Sequence, residues 1–196
     1  MQTSVIIAGF GGQGVLFAGL ILAYAAMDKE LRVTWYPSYG PEMRGGTASA
    51  TVVIGDEEIG SPVVLHPDLA IALNAPSFRK YEPLVKPGGM LFYNSSLISE
   101  AHGRADIRYV AVPANAIAAE IGDIRVANAV MVGALAAVTG LLPLEVLVET
   151  VERHMPPARR AMVVPNQEAL RRGAQVVAGL GQSVATGESL SSAPVK

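Results

Sequence analysis

The sequence predicts an α/β fold: a three-layer α/β/α arrangement with a largely parallel, mixed sheet, a Rossmann-like start and a helical C-terminal part. Four short apolar runs, at residues 4–8, 68–73, 90–93 and 108–112, recur between helix-compatible stretches. Continuous rather than alternating apolarity is typical of strands covered on both faces, as in a parallel sheet between helix layers. A glycine-rich loop follows the first run and precedes a helix, which is the order of a βαβ unit.

The first half of the chain is predicted to hold one helix, a second strand and a hairpin. Residues 13–26 are helix-compatible throughout, and residues 32–37 are predicted to form the second strand. Residues 47–54 and Ile59 are predicted to pair as a hairpin, because Gly55-Asp56 supplies turn chemistry between β-branched runs. An antiparallel pair of this kind makes the predicted sheet mixed.

After Val112 the strand signals end and helices are predicted. They cover residues 114–121, 126–142, 144–153 and 167–180. Residues 181–196 are rich in Ser, Gly and Ala and have few large apolar side chains, a composition typical of disorder. We therefore expect a single domain over residues 1–180, followed by a disordered tail over residues 181–196.

Composition and charge narrow the classes of function. Of 196 residues, 51% are hydrophobic and 16% are charged, which predicts one large core and a further buried surface such as a subunit interface. A net charge of −2 without a run of Lys or Arg argues against nucleic acid and anionic membrane as partners. The uncharged stretch at residues 126–144 has the length of a membrane span, but its Ala, Gly and Asn content favours a helix packed inside protein.

The N-terminus and the lack of cysteine bear on location and cofactors. Residues 1–4 lead into a strand without the basic segment and cleavage site of a signal peptide, so we expect a cytoplasmic protein. The absence of Cys excludes thiolate-held iron–sulfur clusters, cysteine zinc sites and cysteine nucleophiles in this polypeptide. His66, His102 and His154 lack metal-ligand spacing, so no metal site is predicted. No Ser, His and acid trio has the context of a nucleophile, so no catalytic residue is predicted.

The first glycine-rich loop holds five candidate residues for binding a cofactor or another subunit: Gly9, Gly11, Gly12, Gln13 and Gly14. Its glycines have dinucleotide-binding spacing after a strand and before a helix. The next strand, however, ends in Tyr36-Pro37-Ser38-Tyr39, without the acid that would bind a ribose. We favour the interpretation that the glycines allow a tight turn and close helix packing, while the loop amides can still meet an anion or a partner's carboxylate.

A second glycine-rich loop follows the second predicted strand. Its candidate residues are Tyr39, Pro41, Glu42, Met43, Arg44, Gly45 and Gly46. Pro41 stiffens the loop, and the Gly45-Gly46 pair permits close approach of another backbone. Because parallel strands end at one edge of a sheet, we expect both loops to lie at the edge where ligands and partners dock. The alternative is an ordinary surface loop in which Glu42 and Arg44 are solvated.

Together with other segments, the second loop gives the chain a family resemblance. The segments are residues 9–14, 33–38, 39–46, 60–62, 73–77, 93–96, 112–115, 125–128 and 133–135. With these, the sequence strongly resembles the gamma subunit of 2-oxoacid:ferredoxin oxidoreductases, over residues 5–178. The form of residues 39–46 is more similar to the 2-oxoglutarate or general 2-oxoacid branch than to the pyruvate branch.

The resemblance implies a non-catalytic subunit of a catalytic assembly. Enzymes of this family decarboxylate a 2-oxoacid on thiamine diphosphate, pass electrons singly through iron–sulfur clusters to ferredoxin, and transfer the acyl group to coenzyme A. Thiamine diphosphate, Mg and the clusters are then expected on companion alpha, beta and often delta subunits, and the isolated chain is expected to hold no cofactor and to be inactive. This chain is expected to supply assembly contacts. Arg159-Arg160 is a candidate pair for binding a phosphate of coenzyme A. Solvation, or pairing with a partner's carboxylate, would explain these arginines equally well.

Two other classes of function stay open on the sequence alone. A free-standing NAD- or FAD-dependent oxidoreductase is favoured by the first loop and disfavoured by the missing ribose acid. A nucleotide-sensing regulatory module without chemistry is the other. Co-purification with companion chains and a brown iron–sulfur chromophore would distinguish the subunit hypothesis from both.

Overall fold

The computed structural model describes residues 2–40, 46–99 and 103–185. Its strands are β1 (Gln2–Phe10), β2 (Arg32–Tyr39), β3 (Thr47–Gly55), β4 (Leu69–Ala72), β5 (Met90–Asn94) and β6 (Arg108–Val112). Its helices are α1 (Val15–Asp28), α2 (Ala75–Tyr81), α3 (Ala114–Ile121), α4 (Ala127–Thr139), α5 (Leu144–His154) and α6 (Val163–Ala185). Short 3₁₀ helices lie at Glu82–Leu84, Ile124–Val126 and Pro157–Met162.

All these strands form one sheet, in the order β2-β3-β1-β4-β5-β6. The pairs β1–β4, β4–β5 and β5–β6 are parallel, whereas β3 is antiparallel to β1 on one side and to β2 on the other. β2 therefore points in the same direction as β1, one strand further out. The carboxyl ends of every strand except β3 lie at one edge, so the predicted α/β class and mixed, largely parallel sheet are confirmed.

The hairpin joins different strands from those predicted. β3 pairs with β2, from Arg32 opposite Gly55 to Tyr39 opposite Ala48, so the second glycine-rich loop is the hairpin connection. Ile59 lies in no strand, and its predicted pairing with residues 47–54 is wrong. Turn chemistry at the end of a strand marks where the strand stops, but it does not specify which neighbour the strand pairs with.

The segment after β3, residues 56–68, is a mostly exposed connection without regular secondary structure, which we call the arm. It joins the end of β3 to the start of β4, and these two strands flank β1 on opposite sides. Since Gly55 lies opposite Gln2 and Leu69 pairs with Val5, the arm crosses beneath the amino-terminal end of β1.

The predicted helices are present with shifted ends. Gly140, at φ 63°, ends α4 before residue 142, the predicted end. α6 begins at Val163, earlier than predicted, and continues to Ala185, into the segment predicted as a tail. Residues 186–196 lie outside the described residues, so their disorder stays a prediction. The sequence does not predict α2, although Asn74 caps it by accepting a hydrogen bond from the Ser77 amide at 2.9 Å.

Helices cover the two faces of the sheet unequally. α1, α3, α4, α5 and α6 pack on one face, with Ile7, Leu22 and Phe92 in the same apolar cluster. α2 covers the other face, where Phe78 packs against Ala8 and Leu91. The three predicted layers are therefore present, and most of the core lies on the α1 side.

α4 is the central helix predicted from the uncharged stretch. Every residue from Ala127 to Ala136 is buried. α4 crosses α6 in backbone contact, because a Cβ on Gly133 would lie 2.0 Å from the Leu170 carbonyl oxygen, and one on Gly173 would lie 1.9 Å from the Val130 carbonyl oxygen. Among the described helices, none is long and apolar enough to cross a membrane.

Candidate functional site

The two glycine-rich loops meet at the carboxyl edge of the sheet. The Gly11 amide donates a hydrogen bond to the Gly46 carbonyl at 2.9 Å. Tyr39, at the end of β2, is 72% exposed. The remaining candidates of the second loop lie outside the described residues: Pro41, Glu42, Met43, Arg44 and Gly45. Their role in binding a partner or cofactor stays a prediction.

Gln13 fixes the shape of the first loop. Its Oε1 accepts hydrogen bonds from the Phe10 amide at 2.7 Å and from Asn74 Nδ2 at 2.9 Å, and its Nε2 donates to the Leu73 carbonyl at 3.3 Å. A Cβ on Gly9 would lie 2.7 Å from Gln13 Oε1, so the glycine leaves room for this carboxamide. The side chain therefore links the end of β1 to the end of β4.

Gly14 and Asn128 join the first loop to α4. Gly14 has φ 73°, in the left-handed region, and its carbonyl accepts a hydrogen bond from Asn128 Nδ2 at 2.8 Å. A Cβ on Gly14 would lie 1.9 Å from that nitrogen. Asn128 is 2% exposed, so losing this bond would leave a buried polar group unpaired. Only glycine satisfies both the backbone angle and the close approach here.

The geometry of the first loop disfavours a dinucleotide. The amides of Phe10, Gly11 and Gln13 already donate to oxygens of the protein. β3 also lies between β1 and β2, so the end of β2 is displaced from β1 by two strand spacings, roughly 10 Å, rather than one. A Rossmann site needs these two strands as neighbours, since the ribose acid stands at the end of the second. The glycines serve the turn and the helix packing.

A cleft opens beside the two loops, with a volume of about 850 Å³. We call it the carboxyl-edge cleft. Its walls are mostly apolar, and polar groups from the C-terminal helices stand at its far side. It is lined by Phe10, Gly11, Gly12, Gly14, Val15, Leu16, Phe17, Tyr39, Gly40, Gly46, Thr47, Ala48, Arg125, Asn128, Met155, Arg159, Met162 and Asn166.

Two arginines line the cleft, and one of them is paired with a carboxylate. The Arg125 guanidinium donates to both oxygens of Asp123, at 2.6 to 3.2 Å. The hydrogen bonds from Arg125 hold the pKa of the Asp123 carboxyl below its usual value, so this pair stays charged and Arg125 is held in place. Arg159 is exposed, and no ion pair of it is found among the described residues. Arg159 is therefore available to an anionic group that binds in the cleft.

A smaller groove of about 260 Å³ runs along α1, and we call it the α1 groove. It shares four residues with the carboxyl-edge cleft: Leu16, Phe17, Met155 and Arg159. The other lining residues are Leu20, Ile21, Tyr24, Thr150, Val151, His154 and Pro156. The two hollows therefore share part of their walls.

Asp28 ties the end of α1 to α5. It accepts hydrogen bonds from Thr150 Oγ1 at 2.9 Å and from Arg153 at 3.0 Å, and His154 Nε2 lies 3.3 Å away. Burial opposes ionisation of this carboxyl, but these hydrogen bonds outweigh it and the pKa of Asp28 is lowered. The His154 ring also stacks on Tyr24, with centroids 4.3 Å apart.

The described residues do not supply a metal centre. Within residues 2–40, 46–99 and 103–185, no three His, Asp or Glu side chains converge in a way that could hold a metal ion. His66 lies 3.1 Å from the Leu84 carbonyl and His154 lies beside Asp28, so each of these rings has a different partner. The chain also contains no Cys. Its own residues therefore do not fit an iron–sulfur cluster.

Sequence reasoning finds the loops but misses most of the opposite wall. Asn128, Met155, Met162 and Asn166 line the cleft from the C-terminal part of the chain, more than a hundred residues after the first loop. A weak signal exists at Asn128, a polar residue in an uncharged helix. Arg159, one of the two arginines predicted to grip a phosphate, lines the cleft, but its neighbour Arg160 donates instead to the Glu152 carbonyl at 2.9 Å.

Comparison with known proteins identifies the family. A family model described as pyruvate ferredoxin/flavodoxin oxidoreductase matches residues 4–176. The chain is 38% identical to 2-oxoglutarate synthase subunit KorC of Methanothermobacter marburgensis, over 80% of this chain and 88% of that protein. It is 48% identical to ketoisovalerate oxidoreductase subunit VorA of Methanothermobacter thermautotrophicus, over 71% of this chain but only 29% of that protein.

A crystal structure described as the gamma subunit of a keto/oxoacid ferredoxin oxidoreductase from Geobacter sulfurreducens is also similar. The TM-score is 0.78 at 30% identity, over 90% of this chain and 99% of that one. The chain therefore belongs to the pyruvate ferredoxin/flavodoxin oxidoreductase family, and within it to the gamma-subunit type that its sequence resembles.

Proposed function

We propose that this chain works as the gamma subunit of a multisubunit enzyme that converts 2-oxoglutarate, coenzyme A and oxidised ferredoxin to acyl-CoA, CO2 and reduced ferredoxin. In this proposal the companions are alpha, beta and delta subunits, and ferredoxin is the acceptor of the complex. The cytoplasmic location belongs to the same proposal.

The preference for 2-oxoglutarate rests on two observations. KorC has nearly the same extent as this chain, whereas the chain spans about three tenths of VorA. The form of residues 39–46 also resembles the 2-oxoglutarate branch. The higher identity to VorA speaks for ketoisovalerate, a branched 2-oxoacid, so this acid is the competing substrate.

The division of labour follows from what the chain lacks in sequence. Without Cys it supplies no thiolate to a cluster, and it contains no Gly-Asp-Gly segment to begin a Mg-diphosphate site. We assign thiamine diphosphate, Mg and the clusters to companion chains. The contribution of this chain is then to bind and orient other components, not to supply a reacting group.

The carboxyl-edge cleft is the observation that carries the coenzyme A part of the proposal. Its volume of about 850 Å³ is within the range of small-molecule sites. Coenzyme A combines a long, weakly polar pantetheine chain with several phosphates. Apolar walls from Val15, Phe17 and Met155 suit the pantetheine, and Arg159 suits a phosphate. We propose that the cleft holds part of coenzyme A while the loops beside it contact companion chains.

The complex itself provides the first test. We expect a tagged chain purified from its native host to recover iron-containing companion chains, and the recovered complex to turn over 2-oxoglutarate faster than ketoisovalerate or pyruvate. Recovery of the chain alone would contradict the subunit assignment. Faster turnover of ketoisovalerate would overturn the substrate assignment and leave the subunit assignment intact.

A matched pair of variants tests the cleft. Arg159→Ala in the complex is expected to raise KM for coenzyme A about tenfold or more, because a charge-assisted hydrogen bond contributes ~1.5–3 kcal/mol. Arg160→Ala, whose guanidinium serves the Glu152 carbonyl instead, is expected to leave that KM nearly unchanged. Equal effects from both variants would argue against the cleft. Calorimetry on the isolated chain should detect no NAD binding; micromolar binding would support the oxidoreductase alternative.

A further inference from the structure

Two hydrogen bonds between Phe10 and Gln13 close the turn of the first glycine-rich loop. The Gln13 amide donates to the Phe10 carbonyl at 3.1 Å, and Gln13 Oε1 accepts from the Phe10 amide at 2.7 Å. The pair encloses Gly11 and Gly12, which both line the carboxyl-edge cleft. Glycines have no side chain to hold them in one conformation, so the shape of this wall depends on the residues that close the loop.

A buried asparagine outside the cleft holds the Gln13 carboxamide. Asn74 Nδ2 donates to Gln13 Oε1 at 2.9 Å, while Asn74 Oδ1 accepts from the Ser77 amide in the first turn of α2. Asn74 is 5% exposed, and neither Asn74 nor Gln13 lines the cleft. We call this pair the Asn74–Gln13 relay, because it connects α2, on one face of the sheet, to the loop that borders the cleft.

Backbone groups at both ends fix the direction of the hydrogen bonds in the relay. The Ser77 amide can only donate, so Asn74 presents its oxygen to Ser77 and its Nδ2 to Gln13. The Phe10 amide can only donate and the Leu73 carbonyl can only accept, so Gln13 cannot turn its carboxamide over. An acceptor in place of Asn74 Nδ2 would therefore face Gln13 Oε1 and repel it.

We propose that Asn74 and Gln13 are positioning residues for the ligand of the carboxyl-edge cleft. The relay holds Gly11 and Gly12 in the shape that borders the cleft, and it does so without touching the ligand. Ordering a loop at the moment of binding costs free energy, so a loop that is held beforehand binds its ligand more tightly. The role assigned to the relay rests on the proposed function, in which this ligand is coenzyme A.

Asn74→Asp separates the relay from the helix cap. An Asp oxygen still accepts from the Ser77 amide, so α2 keeps its cap, but the donor to Gln13 is replaced by an acceptor. In the complex we expect KM for coenzyme A to rise about tenfold, since a displaced wall weakens binding. The kcat and KM for 2-oxoglutarate should stay nearly unchanged, because the reacting groups are assigned to companion chains. Gln13→Ala, which leaves the Asn74 cap in place, should give the same split.

Asn94→Asp is the matched control. Asn94 ends β5, is 1% exposed, accepts from the Ser96 amide at 3.3 Å and donates to Asn115 Oδ1 at 2.9 Å. Within the described residues the Asn115 side chain makes no other hydrogen bond, so it can turn over and donate to the new carboxylate. We expect KM for coenzyme A to be unchanged. Equal increases in Asn74→Asp and Asn94→Asp would overturn the proposal, because any buried carboxylate would then have the same effect.

Hydrogen exchange of the Gly11 amide gives a readout that does not depend on the ligand. This amide donates to the Gly46 carbonyl, and in the full chain we expect its exchange to be about tenfold faster in Asn74→Asp and Gln13→Ala. In Asn94→Asp it should match wild type. Unchanged Gly11 exchange in both relay variants would overturn the proposal.

Arg159→Ala distinguishes failure of this proposal from failure of the coenzyme A assignment. If Arg159→Ala raises KM for coenzyme A and Asn74→Asp does not, the positioning role is overturned and the assignment of the cleft stands. If neither variant raises KM while Gly11 exchanges faster in Asn74→Asp, the assignment of coenzyme A to the cleft fails and the hold of the relay on the loop is supported.

Discussion

Gly133→Ala tests whether α4 and α6 are held together by backbone contact. A Cβ on Gly133 would lie 2.0 Å from the Leu170 carbonyl oxygen, whereas an ordinary contact begins at 3.4 Å. The two helices would have to separate by the difference, about 1.4 Å, and both are built into the core through neighbours such as Leu135 and Leu170. A closely packed interior cannot accommodate a shift of this size without a loss of stability.

Two effects of opposite sign set the magnitude. Overpacking a core costs about 1–3 kcal/mol, and backbone contact places this site near the upper value. Replacing Gly by Ala inside a helix stabilises the helix by ~1 kcal/mol, because Ala has the higher helix propensity. We therefore expect the free energy of unfolding to fall by about 2 kcal/mol. For a chain of this size the melting temperature should fall by about 4–8 °C.

Gly179→Ala is the matched control. Gly179 lies in α6 and is exposed, and a Cβ added there would meet nothing within 4 Å, so only the helix propensity changes. We expect this variant to be more stable than wild type by ~0.5–1 kcal/mol. Urea unfolding followed by circular dichroism measures both variants. If Gly133→Ala is as stable as Gly179→Ala, the helices are not in backbone contact and the reasoning fails.

Three further outcomes are expected. Asn128→Ala should lower the free energy of unfolding by ~1–3 kcal/mol, measured in urea, because the Gly14 carbonyl loses its buried partner; an unchanged midpoint would contradict this. The folded-state pKa of Asp28 is lowered, so its stabilisation is complete above the ordinary Asp value of about 4 and is lost as pH falls through the folded pKa. The stability difference between wild type and Asp28→Asn should therefore shrink in acid, and a constant difference would refute the assignment. Arg44→Ala should leave the isolated chain as stable as wild type and impair assembly in pull-downs; lost stability would indicate a role within the loop.

Local sequence predicts much of the sheet. β4, β5 and β6 are visible as short continuous apolar runs because both of their faces are covered. The neighbour of β3 is not visible, since pairing with β1 joins residues that are far apart in the chain and is decided by burial of Val52 and Ile54 rather than by a turn. α2 is missed because a helix of seven residues has too few turns to establish a period.

The candidate site is predictable on one side. Glycines that follow a strand indicate where the backbone takes an angle that other residues rarely adopt, as Gly14 does with its positive φ. The opposite wall depends on how α4, α5 and α6 pack over the sheet, and Asn128 reaches Gly14 across a separation of 114 residues. Nothing in a local window records such a contact. The apolar side of α1 is anticipated only as an excess of hydrophobic residues in the whole chain.

In the hairpin of β2 and β3, the strands that stabilise the sheet are separate from the connection whose chemistry can vary. Its stem is held by a ladder that runs the full length of β2, and β3 is held on its other side by β1. Lengthening such a connection is cheap, about 0.6 kcal/mol for each doubling. Relatives can therefore change the length and chemistry of this connection while the scaffold persists. Divergence in partner choice can accumulate there, independently of the sheet on which it stands.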